Sequence, residues 1–219
     1  MSRIAAVAAD ILEIAVNFSR TSWATRAYLL HNPRDGRLLL VDTGSAGSQG
    51  VILRAIDSLG CQPADLEAII VTHWHEDHTG GLGAMMDAAG DAVRVLVPAA
   101  EIDILQTQAP RPVPFWGWLK KLGDTPMPPG KLRPGQAARL EPLSAGDPLL
   151  RAWDLQLLNT PGHSVGHISL LSPGRRALFA GDALLCYGRT VFTFPHNNVA
   201  QTEASARQLL ALDFDHLLP

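Results

Sequence analysis

Six consecutive positions, His73-Trp74-His75-Glu76-Asp77-His78, carry three imidazoles and two carboxylates. A lone histidine is ordinarily a half-buried polar group with no ligand, but folding alone gives no reason to gather so many ion-binding side chains, so the density implies a metal site. Upstream, Leu66-Glu67-Ala68-Ile69-Ile70-Val71 is a short apolar, β-branched run bounded by Pro63. It predicts a buried strand delivering the histidines at its carboxyl end. His73 and His75 are two apart, so in a locally extended chain both point to one side and can share an ion. Asp77 and His78 follow where Gly80 and Gly81 let the backbone turn into a predicted helix, Leu82 to Ala89, which lets them serve a second ion beside the first.

The pattern Thr72-His73-x-His75-x-Asp77-His78-x-Gly80-Gly81 resembles the hallmark of the metallo-β-lactamase superfamily, hydrolases that hold one or two metal ions between two β-sheets. The resemblance implies the α+β class and a four-layer αββα sandwich, with further ligands drawn from distant parts of the chain. Leu155–Asn159 predicts a strand running into Thr160-Pro161-Gly162-His163-Ser164, which resembles the family's Pro-Gly-His loop and implies that His163 is the third histidine of the first metal site. Ala177–Ala180 predicts another strand opening onto Gly181-Asp182, similar to the Gly-Asp at which the family places a carboxylate bridging both ions. The implied metal ligands are therefore His73, His75, Asp77, His78, His163 and Asp182, and the cofactor is two divalent ions. Zinc is the first choice from the histidine-rich set, with iron or manganese also suited to mixed nitrogen and oxygen ligation. His167 is expected to support a ligand or the structure rather than bind the ion. Asp42-Thr43-Gly44 looks like the family's Asp-Thr-Gly, and Asp42 is likewise expected to be structural.

One part of the family pattern is not met. The family's last ligand is a histidine in a turn after a strand, and here the sequence runs Asp213-Phe214-Asp215-His216-Leu217-Leu218-Pro219. His216 comes three residues too early, inside the predicted strand, and is not expected to be a ligand. Either this chain is shorter than the natural protein, or its second site is one ligand short and binds metal weakly.

A length of 219 residues with 47% hydrophobic content fits one domain, 1–219, able to bury a two-sheet core. Met1 to Ser19 is apolar but broken by Asp10 and Glu13, which predicts a first strand rather than a signal peptide. No apolar stretch reaches the length of a membrane span. Cys61 and Cys186 are the two cysteines, which gives no disulfide framework and no zinc ribbon, so the cytoplasm is the expected compartment. A formal net charge of −3 without a basic run offers no footprint for nucleic acid and weighs against the family's nuclease branches.

The elements that must position the ligands follow from the apolar runs. Strands are predicted near Ile11–Val16, Ala27–His31, Leu38–Asp42, Val93–Val97, Ile168–Leu171 and Phe214–Leu218, besides those already named. Helices are predicted near Gly50–Leu59, Ala99–Gln108 and Thr202–Leu212, the last with Ala206, Leu209 and Leu210 on one apolar face. Two half-domains, each presenting ligands at one edge, would meet at the metals. Met85 and Met86 are expected in the core.

Ala109 to Gly135 differs in composition, with seven prolines and the run Phe115-Trp116-Gly117-Trp118. Such a proline density excludes a regular sheet strand. Long irregular loops in compact domains are usually functional, and paired tryptophans need a surface to cover. The segment is expected to cap the metal cleft, with Trp116 and Trp118, and Tyr187 beyond it, contacting substrate. The alternative is a loop packed on the sandwich or on a second copy of the chain.

The mechanism implied by the resemblance has three neutral imidazoles holding an ion with an open position for water. A metal-bound hydroxide attacks a carbonyl, Asp182 bridges the ions, and Asp77 orients the hydroxide, which makes Asp77 and Asp182 the catalytic carboxylates. The β-lactamases of the family usually place a cysteine where Asp182 stands, which disfavours penicillin hydrolysis. Glyoxalase II thioesterases share the ligands but add a helical C-terminal region for which this chain has no room. The flavodiiron branch typically has glutamate at the position of His75. The lactonase branch places a tyrosine where Leu185 stands, with Tyr187 two residues on. The resulting expectation is a hydrolase of a small ester, thioester or lactone acting on a small molecule. The alternatives are a mononuclear iron persulfide dioxygenase and a metal-binding homologue without catalysis.

Overall fold

The computed structural model describes residues 3–17, 24–109, 111–113, 125–193 and 197–219. The chain divides into two compact units. The first comprises Met1–Val97, Ile102–Pro110 and Pro128–Pro142, and the second Pro98–Glu101, Arg111–Met127 and Leu143–Pro219.

The first unit opens with β1 (Arg3–Ala8), β2 (Ile11–Asn17), β3 (Ala24–His31) and β4 (Leu38–Val41), each antiparallel to the one before. The single strand expected over Met1–Ser19 is thus corrected to a hairpin. Asp10, which interrupts the apolar run, sits in its turn, where its carbonyl accepts the His31 N–H at 2.9 Å. Glu13 on β2 pairs with Arg3 at 2.7 Å and Arg26 at 3.4 Å. β5 (Leu66–Ile70) then runs parallel to β4, and β6 (Arg94–Pro98) parallel to β5. Apart from Glu67 and Arg94 near their starts, these parallel strands read as apolar runs because both faces are covered: Leu38, Leu39, Leu40, Val41, Ile69, Ile70, Val95, Leu96 and Val97 are all buried.

Three helices connect these strands. α1 (Gln49–Ser58) buries Val51, Ile52, Ala55 and Ile56, one face of a helical period. α2 (Glu76–Thr79) is a single turn, and α3 (Leu82–Ala89) buries Leu82, Met85, Met86 and Ala89, so both methionines are core. The helix expected over Ala99–Gln108 begins as a tight turn, Ala99–Glu101, before α4 (Ile102–Thr107).

The proline-rich segment holds a difference from expectation. Two three-residue strands, β7 (Arg111–Val113) and β8 (Thr125–Met127), pair antiparallel with Pro112 opposite Pro126. They form a separate two-stranded ribbon, in which a proline lacks only its own N–H and breaks no central ladder. Trp116 and Trp118, with the tip of the expected cap, lie outside the described residues. After α5 (Pro134–Ala137), β9 (Leu140–Leu143) completes a seven-stranded sheet in the order β1-β2-β3-β4-β5-β6-β9.

In the second unit α6 (Pro148–Ala152) is capped by Asp147, whose carboxylate accepts the Leu149 N–H at 2.9 Å, with Pro148 in the first turn. β10 (Gln156–Asn159), β11 (Ile168–Ser172) and β12 (Ala177–Phe179) form an antiparallel sheet. β13 (Leu185–Tyr187) and β14 (Thr190–Phe192) make a hairpin around Gly188-Arg189. α7 (Val199–Leu210) starts at Asn198, whose side chain accepts the Gln201 N–H at 3.0 Å. It is the crossover that lets β15 (His216–Leu218) lie parallel to β12. Ala206 and Leu209 of α7 pack with Leu171, Leu178, Ala180, Ala183 and Leu184. No helix among the described residues is long and apolar enough to cross a membrane.

Candidate metal centre

In the first unit, the histidines ride on the loop after β5. Ring centroids of His73 and His75 stand 4.5 Å apart, and those of His73 and His78 4.1 Å. All three imidazoles are buried. Asp77 is the second residue of α2, with its Oδ2 3.9 Å from His78 Nε2. Glu76, the remaining carboxylate of the run, accepts the Ala46 N–H at 2.8 Å and so braces a neighbouring loop.

Asp42 organises this arrangement. Its backbone is left-handed, φ 58°, which aspartate tolerates better than most residues, and its side chain is buried. Oδ1 accepts the Thr72 N–H at 2.7 Å, while Oδ2 accepts the Thr72 hydroxyl at 2.8 Å and stands 2.8 Å from His78 Nδ1. A buried carboxylate only accepts, so the His78 proton sits on Nδ1 and the lone pair on Nε2. Thr72 gives its proton to Asp42, so its 3.1 Å contact with His73 Nδ1 runs from imidazole to hydroxyl, and His73 also keeps its lone pair on Nε2. Thr43 adds its N–H at 2.8 Å and its hydroxyl at 2.9 Å to the His78 carbonyl.

Gly80 and Gly81 are not there for a left-handed turn, since their φ values are −62° and −85°. They are there for space. A Cβ on Gly80 would lie 2.3 Å from Ala46 N, and one on Gly81 2.5 Å from Thr43 O. The loop carrying Asp42 and the turn carrying the histidines touch backbone to backbone.

In the second unit, β10 delivers Thr160-Pro161-Gly162-His163, with His163 buried. Gly162 takes φ 132°, and a Cβ there would lie 2.2 Å from Thr202 N at the start of α7. His163 Nε2 stands 3.2 Å from Asp182 Oδ2. His167 holds the neighbouring backbone: its Nε2 accepts the Asp182 N–H at 3.0 Å, and its Nδ1 reaches the Thr160 hydroxyl at 2.8 Å. Thr160 continues to Ser169 at 3.0 Å, and Ser169 donates to the Ala180 carbonyl at 3.0 Å. His167 is therefore a support of Asp182, as expected.

The donor chemistry fits a divalent transition metal. Two ligand atoms about 2.0–2.1 Å from a tetrahedral zinc stand roughly 3.3 Å apart, close to the observed His163–Asp182 separation. Neutral imidazoles with their Nδ1 protons engaged are the form in which histidine binds a metal.

Of the other candidates, Tyr187 lies on β13 and is 84% exposed, and His216 lies on β15 opposite Ala177. Sequence reasoning missed Glu101, a fully buried carboxylate whose Oε1 accepts from the Ser164 hydroxyl and from the Gly166 N–H. Nothing in its neighbourhood, Val97-Pro98-Ala99-Ala100-Glu101, distinguishes it from a surface glutamate after a strand.

The family model for the metallo-β-lactamase superfamily matches residues 20–219. The hydroxyacylglutathione hydrolase of Methylobacillus flagellatus is 32% identical over 164 residues, 74% of this chain and 48% of that protein. A Cronobacter sakazakii metallo-β-lactamase with a HARLDQ motif superposes with a TM-score of 0.68 at 22% identity, covering 99% of this chain and 79% of its own. At that identity the likeness is one of fold. TTHA1623, solved in a di-iron-bound form, gives a TM-score of 0.59 at 25% identity over 90% of this chain and 86% of its own. The chain spans about half the length of the curated relatives it matches.

Proposed function

Because the chain belongs to the metallo-β-lactamase superfamily, its family model matching residues 20–219, we propose that it is a metal-dependent hydrolase of small thioesters, esters or lactones. What carries the reading is the pair of preorganised donor sets, above all the hydrogen bonds of Asp42 and Thr72 that leave Nε2 of His73 and His78 as the lone-pair nitrogens. Among the three substrate classes, thioesters come first, because the relatives named hydroxyacylglutathione hydrolase point that way.

In this reading the protein is one functional domain over 1–219, and the proposed metal donors are His73, His75, Asp77 and His78 of the first unit and His163 and Asp182 of the second. The histidines would hold metal through neutral imidazole nitrogens, and Asp77 and Asp182 would add carboxylate oxygens. When bound, the ions would supply Lewis acidity, lowering the pKa of a coordinated water far toward neutrality and polarising the carbonyl under attack. Asp77, whose side chain is 36% exposed, orients the attacking water. Asp42 keeps the His78 proton on Nδ1, and His167 keeps the Asp182 backbone in place. Tyr187, exposed on β13, contacts substrate, while Trp116 and Trp118, the other residues expected to do so, lie outside the described residues. Zinc is the first choice of metal. Iron is the second, since TTHA1623 is described in a di-iron-bound form.

The test is metal analysis on protein purified without added metal, followed by rates on thioester, aryl-ester and lactone panels and oxygen uptake on a persulfide. Bound zinc or iron with thioester or ester turnover is the expected result. Metal bound with no turnover on any panel, or oxygen consumed by an iron-loaded protein, overturns the hydrolase reading.

A further inference from the structure

The loop that carries His163 has no regular structure of its own, so something outside it must hold the imidazole in place. On its upstream side the start of α7 does this. The Gly162 carbonyl accepts the N–H groups of Asn197 at 3.1 Å and Asn198 at 2.9 Å, and the Pro161 carbonyl accepts the Ser205 hydroxyl at 2.8 Å. On the downstream side, where the Ser164 carbonyl accepts the Gly162 N–H at 3.0 Å and His167 is tied to Thr160 and Asp182, a further anchor is the side chain of Glu101. Its Oε1 collects both the Ser164 hydroxyl and the Gly166 N–H, the latter at 2.9 Å. The approach is close: a Cβ on Gly166 would lie 2.5 Å from Glu101 Cγ and 3.0 Å from Ala100 Cβ.

Glu101 is fully buried, and Ser164 nearly so. Taking a carboxylate out of water is costly, so a residue whose only task was to fill this space would better be apolar. What a carboxylate adds is charge-assisted acceptance, roughly twice as strong as a neutral hydrogen bond, from two donors, on Ser164 and Gly166, that bracket Val165. Ser164 is covalently next to the imidazole, so fixing its side chain fixes the direction in which His163 leaves the backbone.

We propose that Glu101 is a positioning residue for His163, clamping the ligand loop through Ser164 and Gly166 so that the imidazole is held ready for the metal. The inference rests on the metal-centre reading given above. Partners that orient a metal ligand without touching the metal typically cost about 10–100-fold in metal affinity when removed.

The experiment measures zinc affinity by chelator competition, together with the unfolding midpoint of the metal-free protein, for the wild type, E101Q, E101A and S164A. The expected order of affinity is wild type, then E101Q and S164A, then E101A, with E101A weaker by about 10–100-fold. E101Q keeps an acceptor oxygen in the same volume, and S164A removes one donor without creating a cavity, so these two carry the test if E101A does not fold. A lower metal-free midpoint with unchanged zinc affinity in E101Q and S164A makes Glu101 a merely structural residue and overturns the proposal. A wild-type chain that binds no zinc overturns the metal reading itself, and this proposal with it, which a wild type and variants binding equally tightly would not do.

Discussion

Replacing Asp42 by asparagine isolates the carboxylate's charge from its shape. The left-handed backbone at φ 58° suits asparagine as well as aspartate, so no strain is added. The amide keeps one oxygen for the Thr72 N–H but turns an NH2 group toward the Thr72 hydroxyl and His78 Nδ1, which now meet a donor where they had an acceptor. Each of the three bonds falls from the charged range, about 1.5–3 kcal/mol, toward or below the neutral range of about 0.5–1.5 kcal/mol. Relief from burying a charge returns part of the loss, leaving about 2 kcal/mol, or roughly 4–8 °C in Tm for a chain of this length. His78 can pair with the amide only by moving its proton to Nε2, the nitrogen that the metal reading needs. Thermal unfolding of the metal-free protein measures the first effect, and nitrogen-15 spectra of the histidine side chains report the tautomer. A midpoint within about 1 °C of wild type, with the His78 proton still on Nδ1, would refute the reasoning.

Three further outcomes are expected. His75→Ala should abolish hydrolysis and lower bound metal while the circular dichroism spectrum stays that of the wild type; near-normal turnover would mean that the metal mechanism is wrong. Gly130→Ala places a Cβ 2.0 Å from the Thr79 carbonyl oxygen, backbone that cannot swing aside, and should cost about 3 kcal/mol in a denaturant titration; an unchanged midpoint would refute the close approach. The Cys61 thiol is pushed up by burial and then by the Asp65 carboxylate. Its contribution to stability is therefore fully present below the unfolded value, about 8.5, and drains as the pH rises toward the folded one, so Cys61→Ala should flatten the fall in midpoint between pH 8 and 10. Parallel pH profiles for the two proteins would contradict this.

What could be read from the sequence were the places where a short apolar run ends in polar chemistry. β5, β10 and β12 are such runs, and the residues that follow them, His73, His75, Gly162-His163 and Gly181-Asp182, carry the proposed donors. Local signals also found α3 to the residue, because Gly81 and Gly90 punctuate its ends. What could not be read depended on contacts between distant segments. The reason for Gly80 and Gly81 lies in Ala46 and Thr43, some 35 residues earlier, and the role of Glu101 lies in Ser164 and Gly166, more than 60 residues later. The edge strand β9, with a proline in its Leu140-Glu141-Pro142-Leu143, has too little apolar periodicity to announce itself.

The hydrogen bonds around His167 form a circuit with a direction. It begins at the Asp182 N–H, which can only donate, and passes through His167, Thr160 and Ser169 to the Ala180 carbonyl, which can only accept. Ala180 and Asp182 flank a single glycine, so the path leaves one turn, crosses three strand ends and returns to the same turn. With both ends fixed in polarity, the bonds between them run in one sense, and the His167 carbonyl, 3.5 Å away, offers the Thr160 hydroxyl a second acceptor. Asp182, a proposed metal donor, thus hangs from a turn whose amide is tied through two strands to the carbonyl two residues before it. Its amide is expected to exchange with solvent only when β10, β11 and β12 come apart together.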